Sequence, residues 1–515
     1  MDIPAIVEGD SSQNASGESQ AHTASNVTDD AEAPQTDIPL VEEDSCENAS
    51  GESQAHAASN VADDADDPQG EWPPISQIMQ SCFVFEPAAP TEQIITVMGV
   101  DCAIPHNPGH LTSEQQKLLS EADVICAGQP LLNTFFPATP SELSATLKAE
   151  PLPLTFPLDP LLNRFTHLRA AGKRVLVLAD GDPLFFGIGA TLVRHLGTEA
   201  VRLLPAVSSL QQACARLALP WHNVICLSLH GRDDMCPLNA ASSKNMPLCL
   251  LTDDRMSPDV LARHLLDRGV DWFEAHIFER MGAPDEKIWH MSLTEAAGSH
   301  FGPACTMILL PRGLPRRPCL GLQTSQLAID GECITKQPVR AAALSLLQIA
   351  PRHVVWDIGS GSGAVALEAS ILAHEGRVIA VERSAGRAMG IQENRRRMGA
   401  AIVDVRLGQA PECLPSLPDP DRVFIGGGLS GEDGADILGH VCLRLPEGGR
   451  VVASCALLES LHLCRRYFEK LAWPVELLQI CAAEGQALGD DLHLVGMNPI
   501  FLIAAQKPGS ESASA

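Results

Sequence analysis

The sequence predicts an α/β protein with two folded units behind a disordered acidic tail. Three observations carry that expectation. From Gln93 onward, short apolar runs of strand type alternate with longer runs of helical type, the rhythm of parallel α/β architecture. A stretch rich in proline and arginine, LPRGLPRRPCLGL from Leu310 to Leu322, interrupts the rhythm once and reads as a linker. Residues 1–72 hold 18 acidic residues and no Lys or Arg. Such a composition cannot bury enough apolar surface to offset its ordering entropy.

The tail is internally duplicated: DIPAIVEGDSSQNASGESQAHTASNVTDD begins at Asp2, and DIPLVEEDSCENASGESQAHAASNVADD at Asp37. Two copies are too few for a solenoid. A dispensable linker and an acidic docking segment are both open readings. The net charge is −28, but beyond residue 72 it falls to −10, with 46 acidic against 36 basic residues. No basic stripe stands out, so no nucleic-acid partner is expected. Apolar runs such as Thr306–Leu310 and Pro499–Ala505 are far shorter than the roughly 20 residues of a membrane helix, so no membrane partner is expected. The first residues have neither the basic nor the apolar region of a secretory signal. The 16 cysteines are scattered, with no C-x-x-C pair. This argues against a zinc ribbon, leaves no metal site expected, and suits the reducing cytoplasm. The sequons at Asn14, Asn26 and Asn48 are read as chance.

Taken in order, QIITVMGV is a strand and LTSEQQKLLSEA a helix capped by Thr112 or Ser113. DVICAG, KRVLVLAD, VRLLPAV and PLCLLTD are further strands. After the linker, VRAAALSLLQIA is a helix with Pro338 near its start. HVVWDIG, RVIAVE, VDVRLG, RVFIGGG and GRVVASCA are strands spaced for a doubly wound sheet.

Two loops follow strands in places that bind ligands. Gly359-Ser360-Gly361-Ser362-Gly363 lies between a strand and a helix, where glycines admit a ligand to backbone N–H groups. Glu382, nineteen residues after Gly363, ends the next strand and can accept ribose hydroxyls. With Ala364 the loop formally satisfies the dinucleotide fingerprint. Asp357 just before it would repel a pyrophosphate, so the D-x-G-x-G-x-G form favours S-adenosyl-L-methionine, whose sulfonium is cationic. The other loop, Asp180-Gly181-Asp182-Pro183, is a poor phosphate cradle; an edge for adenosylmethionine and a plain turn are both open. Arg387, Arg395, Arg396 and Arg397 read as a solvated basic face, with contact to an anionic substrate as the lesser reading.

ADGDPLFFGIG resembles the G-D-P loop of the tetrapyrrole methylases. LLPAVSSLQQACARLALPW, SLHGR and FERMGAPDEKI resemble later motifs of the subfamily that methylates precorrin-6B. GECITKQPVRAAALSLL, WDIGSGSGAVALE, GQAPECL and FIGGGL resemble the partner methyltransferase of the same pathway. The order of the two units is that of the fused precorrin-6Y C5,15-methyltransferases (decarboxylating). The resemblance implies a tetrapyrrole methylase fold of two α/β subdomains over residues 91–311, acting at carbon 5, and a linker over 312–328. It then implies a Rossmann-like class I methyltransferase domain over 329–507, which acts at carbon 15 and removes the ring C acetate carboxylate. Residues 1–90 and 508–515 are expected to be disordered.

It further implies adenosylmethionine as cofactor, a precorrin or cobalt-precorrin substrate, a place in cobalamin biosynthesis, and a cytoplasmic homo-oligomer. The implied cofactor-binding residues are Asp180, Gly181, Asp182, Phe185, Ser208, Ser209 and Leu251 in the first unit. In the second they are Thr335, Gly359, Ser360, Gly361, Ser362, Gly363, Glu382 and Ala410.

The sequence departs from the family pattern in GVDCAIPHNPGHLT, in AGQPLL where basic residues are usual, at Gln409, and at Gln337-Pro338. No catalytic residue is assigned. Arg232, Arg280 and Arg340 are candidates for substrate carboxylates or structural ion pairs, and His230 and Glu279 for acid–base or structural roles. The competing readings are a methyltransferase for another planar anion and a degenerate corrinoid-binding scaffold.

Overall fold

The computed structural model describes residues 93–102, 110–138, 142–303, 305–328 and 334–509. The acidic tail, the loop with His106 and Asn107, the residues Gly331–Cys333 and the last six residues lie outside them.

Strands β1 (Ile95–Val100), β2 (Val124–Ala127), β3 (Glu150–Pro153), β4 (Val175–Asp180) and β5 (Val201–Leu204) form a parallel sheet ordered β3-β2-β4-β1-β5. Buried positions run almost continuously along β1, β2 and β4, as expected where helices cover both faces. The helix Ser113–Glu121 starts at Thr112 as the sequence predicts, and a capping box closes it. The Thr112 hydroxyl accepts from Gln115 N at 3.2 Å, and Gln115 Oε1 accepts from Thr112 N at 2.9 Å. Register sets Gly99 beside Ala179 and Val100 beside Asp180, so β1 and β4 end side by side.

The second sheet, ordered β6-β7-β10-β8-β9, comprises β6 (Ile225–Ser228), β7 (Leu248–Leu251), β8 (Phe273–Glu279), β9 (Lys287–Ser292) and β10 (Cys305–Pro311). Here the parallel expectation fails. Only β6 and β7 are parallel; β10 runs antiparallel between β7 and β8, and β8 pairs antiparallel with β9. An apolar run reads alike in both directions, so periodicity could not reveal this.

The third sheet holds β11 (Val354–Ile358), β12 (Arg377–Glu382), β13 (Val403–Leu407), β14 (Arg422–Ile425), β15 (Arg450–Cys455), β16 (Val475–Ile480) and β19 (Ile500–Gln506). Its order is β13-β12-β11-β14-β15-β19-β16. The first five strands are the predicted doubly wound, parallel set; β19 enters antiparallel between β15 and β16. An exposed hairpin of β17 (Ala483–Leu488) and β18 (Asp491–Gly496) precedes β19. Apolar clusters cover both faces of the sheet, one around Leu347, Ala366 and Ile391, the other around Trp356, Ile437 and Phe468. Among the described residues no helix is long and apolar enough to cross a membrane.

The expected solvated basic face is only half present. Arg395 is buried and bonds Asp267 at 2.9 Å, and Arg396 bonds the other oxygen of Asp267 at 3.1 Å. Beside them Asp404 receives Arg268 from one side and Arg377 from the other, the latter at 2.6 Å. Acids and bases from opposite sides of the linker neutralise one another here, which sequence order could not show. Of the four arginines, Arg396 and Arg397 lie exposed and Arg387 is half-buried.

Candidate functional site

Both glycine loops stand at the C-terminal ends of parallel strands, where open α/β sheets bind ligands. In the third sheet the crevice opens between β11 and β14, where the strand order reverses. Gly359 (φ +72°) and Gly361 (φ +61°) adopt left-handed conformations that cost little only for glycine. A Cβ on Gly359 would come within 2.9 Å of Gly427 N, so the 359 and 427 loops pack backbone to backbone. Gly363 (φ +80°) starts the helix Ala364–Leu372, and a Cβ there would meet Ile391 at 2.8 Å.

Asp357 is 1% exposed. Its Oδ2 accepts from Ser360 Oγ at 2.6 Å and Ala366 N at 3.1 Å, while Oδ1 is buried with no partner. Burial pushes the carboxyl up to about 6, against the lowering effect of those two bonds and with a further push from Glu382. Ser362 Oγ is also buried and unpartnered. Orphaned buried polar atoms are rare, and two in one loop mark a site shaped for a ligand.

Glu382 is almost as buried, but its carboxyl is shifted the other way. Burial would raise its carboxyl; Arg387 and the N–H groups of Ser384 and Gly361 outweigh that and keep it below the usual range. Gly408 N donates to the Glu382 carbonyl at 3.0 Å, which brings the 408–410 turn with Ala410 alongside. Thr335 lies further back; its carbonyl accepts from Arg340 at 2.6 Å. Two carboxyl groups, Asp357 on β11 and Glu382 at the end of β12, therefore flank the loop, and the nearby Arg387 is spent on one of them. Such a pocket fits a cationic nucleoside and disfavours a pyrophosphate.

In the first unit, β1 and β4 deliver Gly99 and Gly181 to one point. A Cβ on Gly99 would lie 2.6 Å from Gly181 O and 2.7 Å from Ala206 Cβ; Gly181 (φ +69°) itself faces Ser208. Asp182 Oδ1 accepts from Leu184 N at 2.8 Å, which fixes the turn. Burial, then Asp101, pushes the Asp180 carboxyl upward. Ser208 caps the helix Ser209–Arg216, and its hydroxyl is engaged with Gln211. Phe185 and Leu251 pack partly buried against one apolar cluster with Leu210 and Phe278, while Phe186 is 41% exposed. The Leu251 carbonyl accepts from Leu229 N at 2.9 Å. The structure thus gathers Asp180, Gly181, Asp182 and Ser208 closely. Phe185 and Leu251 pack against the same apolar cluster, which draws on β7 and β10 of the second sheet.

A family model for tetrapyrrole (corrin/porphyrin) methylases matches residues 105–297, and one for a precorrin methyltransferase domain matches residues 326–507. The precorrin-6Y C(5,15)-methyltransferase (decarboxylating) of a Sinorhizobium species is 32% identical over 352 residues, covering 67% of this chain and 81% of that protein. The chain belongs to the precorrin-6Y C(5,15)-methyltransferase family. Shorter relatives are similar to parts of it. A probable cobalt-precorrin-6B C(15)-methyltransferase (decarboxylating) of Pyrobaculum calidifontis is 37% identical over 34% of this chain and 90% of its own length. A cobalt-precorrin-7 C(5)-methyltransferase of Salmonella typhimurium is 32% identical over 42% of this chain and 98% of its own.

Three of the other candidates already hold partners within the protein, and a fourth faces solvent. Arg340 is 1% exposed, bonds Glu368 at 2.8 Å, and donates to the carbonyls of Thr335 and Leu322. Arg280 pairs with Asp285 at 2.8 Å. Glu279 accepts from Gly302 N at 3.1 Å and Trp289 Nε1 at 3.3 Å. His230 is exposed. Asn394, unforeseen in the sequence, is fully buried and donates at 3.0 Å to the carbonyls of both Ala328 and Ser362. It fastens the glycine loop to the chain leaving the linker. Its only sequence signal is a lone Asn in a polar helix, which points to nothing.

Proposed function

We propose that this chain methylates a precorrin-6B or cobalt-precorrin-6B macrocycle at carbons 5 and 15, using S-adenosyl-L-methionine, and removes the ring C acetate carboxylate. Residues 91–311 act at carbon 5 and residues 329–507 at carbon 15. The observation that carries this reading is the pair of acid-lined loops at parallel strand ends in a chain of this family. The names of the two shorter relatives favour an order in which the C-terminal unit acts first, on a 6B substrate, and the N-terminal unit second, on a 7 substrate.

Bound adenosylmethionine supplies an activated methyl on a sulfonium, open to in-line attack by an electron-rich macrocycle carbon at about 3–3.5 Å. Gly359 to Gly363 with Glu382, and Ala410 beside them, hold the nucleoside in the C-terminal unit. Thr335 supports them through Arg340. Asp180, Gly181 and Asp182, with Ser208 and Ser209, hold it in the N-terminal unit, and Phe185 and Leu251 form the apolar backing. No side chain in either loop is placed as a strong base. The chain's contribution is orientation, exclusion of water, and a negative field that suits a cation.

The same reading includes self-association. Leu488, Leu492 and Leu494 on the β17–β18 hairpin are 64–76% exposed, and an isolated two-stranded ribbon is marginal in water. A second copy covering this ribbon makes the chain a homo-oligomer.

The test is one incubation of purified protein with the substrate and labelled adenosylmethionine, followed by mass spectrometry. Gain of two methyls with loss of one carboxyl is expected. Methylation with no loss of carbon dioxide would instead favour another planar anionic substrate. Equilibrium dialysis should find two equivalents of adenosylmethionine per chain, and one in Gly359→Val.

A further inference from the structure

The edge hairpin of the second sheet carries a side-chain cluster that neither methyl-transfer site uses. In the β8–β9 pair, His276 lies directly opposite His290, and Glu274 lies opposite Ser292. Glu274 and His276 are two residues apart on one strand, so their side chains leave the same face, and His290 joins them across the ladder. His290 Nε2 is 2.5 Å from Glu274 Oε1, and His276 Nε2 is 3.9 Å from Glu274 Oε2. The imidazole rings are parallel within 8°, with centroids 4.4 Å apart. One ligand atom from each of the three residues lies within 4.8 Å of the others.

His276 decides what this cluster is for. It is 9% exposed, and its Nε2 is enclosed with no hydrogen-bond partner. An enclosed, unpaired ring nitrogen is a cost that folded proteins seldom leave standing. A proton on it does not resolve the cost, because the nearest carboxylate oxygen stands 3.9 Å away and is engaged by Arg312. An ion between the three groups does resolve it.

We propose that Glu274, His276 and His290 bind a single borderline dication of the Zn2+, Co2+ and Ni2+ class. Two imidazoles and one carboxylate are the donor set these ions prefer. With metal–ligand bonds of about 2.0–2.2 Å, tetrahedral ligand atoms stand roughly 3.3 Å apart. The present ligand atoms lie within 4.8 Å of one another, and a bound ion would draw them together to that spacing. Arg312 holds Glu274 Oε2, the outer hydrogen bond that carboxylate ligands commonly receive, and the ion would take the place of the His290 Nε2 contact on Oε1. Three protein ligands leave a fourth position to water. The ion ties edge strand β9 to β8 on a sheet remote in sequence from both glycine loops, and the site is independent of the methyl-transfer reading.

Titration of the full chain with Co2+, read by visible absorption, tests this. We expect one equivalent with the intense d–d bands of a four-coordinate site, lost in His290→Ala and weakened at least about tenfold in Glu274→Gln. His290 is more than half exposed, so its replacement leaves the fold intact. Zn2+ should raise the melting temperature of the wild type and not of His290→Ala. Equal uptake and equal spectra in wild type and His290→Ala overturn the proposal, as does an unmodified chain that takes up no metal.

Discussion

Arg387 donates through both Nε and Nη2 to one oxygen of Glu382, Oε1, at 3.1 and 2.6 Å. The second oxygen, Oε2, accepts from Gly361 N at 2.9 Å. The arginine thus aims the carboxylate at the glycine loop. Glu382 is held below the usual carboxylate range, so its contribution to stability is full above that range and is lost as pH falls through the depressed value. Arg387→Ala should move the acid-unfolding midpoint of the C-terminal unit to higher pH, as followed by circular dichroism. At neutral pH the same variant should bind adenosylmethionine about tenfold more weakly at that site, a loss of ~1.4 kcal/mol. Unchanged affinity would show that the arginine only neutralises charge.

Asp357 titrates the other way. Its folded value of about 6 lies above the ordinary 3.8, so the folded state binds the proton more tightly than the unfolded one. Stability from this group is present at low pH and is lost as pH rises from about 4 through 6. A shift of about two pK units corresponds to roughly 3 kcal/mol of cost at neutral pH. Asp357→Asn should therefore raise the melting temperature of the ligand-free protein at pH 7.5 and leave it nearly unchanged at pH 4. In the wild type, adenosylmethionine should bind more tightly as pH rises through 6, while the product S-adenosylhomocysteine, which lacks the sulfonium charge, responds less. Calorimetric titration across pH 5–8 distinguishes the two; identical slopes would remove Asp357 from recognition of the positive charge.

These contrasts mark what the sequence could show. Asp357, Gly359, Gly361 and Glu382 were legible because strand, loop and next strand are consecutive, so position along the chain predicts position in space. Arg387 was misread as solvent-facing because nothing in a polar helix says which arginine meets a buried acid. Arg395 and Asp267 lie 128 residues apart, and only the packing of one unit on the other pairs them. The Glu274–His276–His290 cluster was invisible for a related reason: its spacing becomes a ligand set only once β8 and β9 are in register. The fold of the C-terminal sheet was readable through its five parallel strands. It failed at β16 and β19, where antiparallel entry depends on edges that have no local signature.

The Arg340–Glu368 pair should matter for stability and not for chemistry. Both side chains are at most 2% exposed, and a buried pair that loses one partner costs about 3–5 kcal/mol. Arg340→Ala should lower the melting temperature by many degrees. Any folded fraction should retain the wild-type KM for the macrocycle. A raised KM with unchanged melting would instead mean that Arg340 contacts substrate carboxylates.

Gly269 tests how the two units depend on each other. It adopts φ +79°, and a Cβ there would lie 2.0 Å from Arg396 O. Its neighbours Asp267 and Arg268 supply ion pairs to Arg395, Arg396 and Asp404. Alanine at this position therefore meets two penalties at once, backbone strain and an overlap with main chain that cannot rotate away. Gly269→Ala should separate the units without unfolding either, because each core draws on the other unit through a single small residue, Ala401 in the cluster around Leu265 and Ala240 in that around Ile391. Scanning calorimetry should show one transition in the wild type and two in the variant, the lower shifted down by several degrees. Adenosylmethionine should still protect both transitions, since Asp267, Arg268 and Gly269 belong to neither loop. A single transition at the wild-type temperature would mean that the units are coupled elsewhere, with the Asp267 and Asp404 ion pairs contributing little.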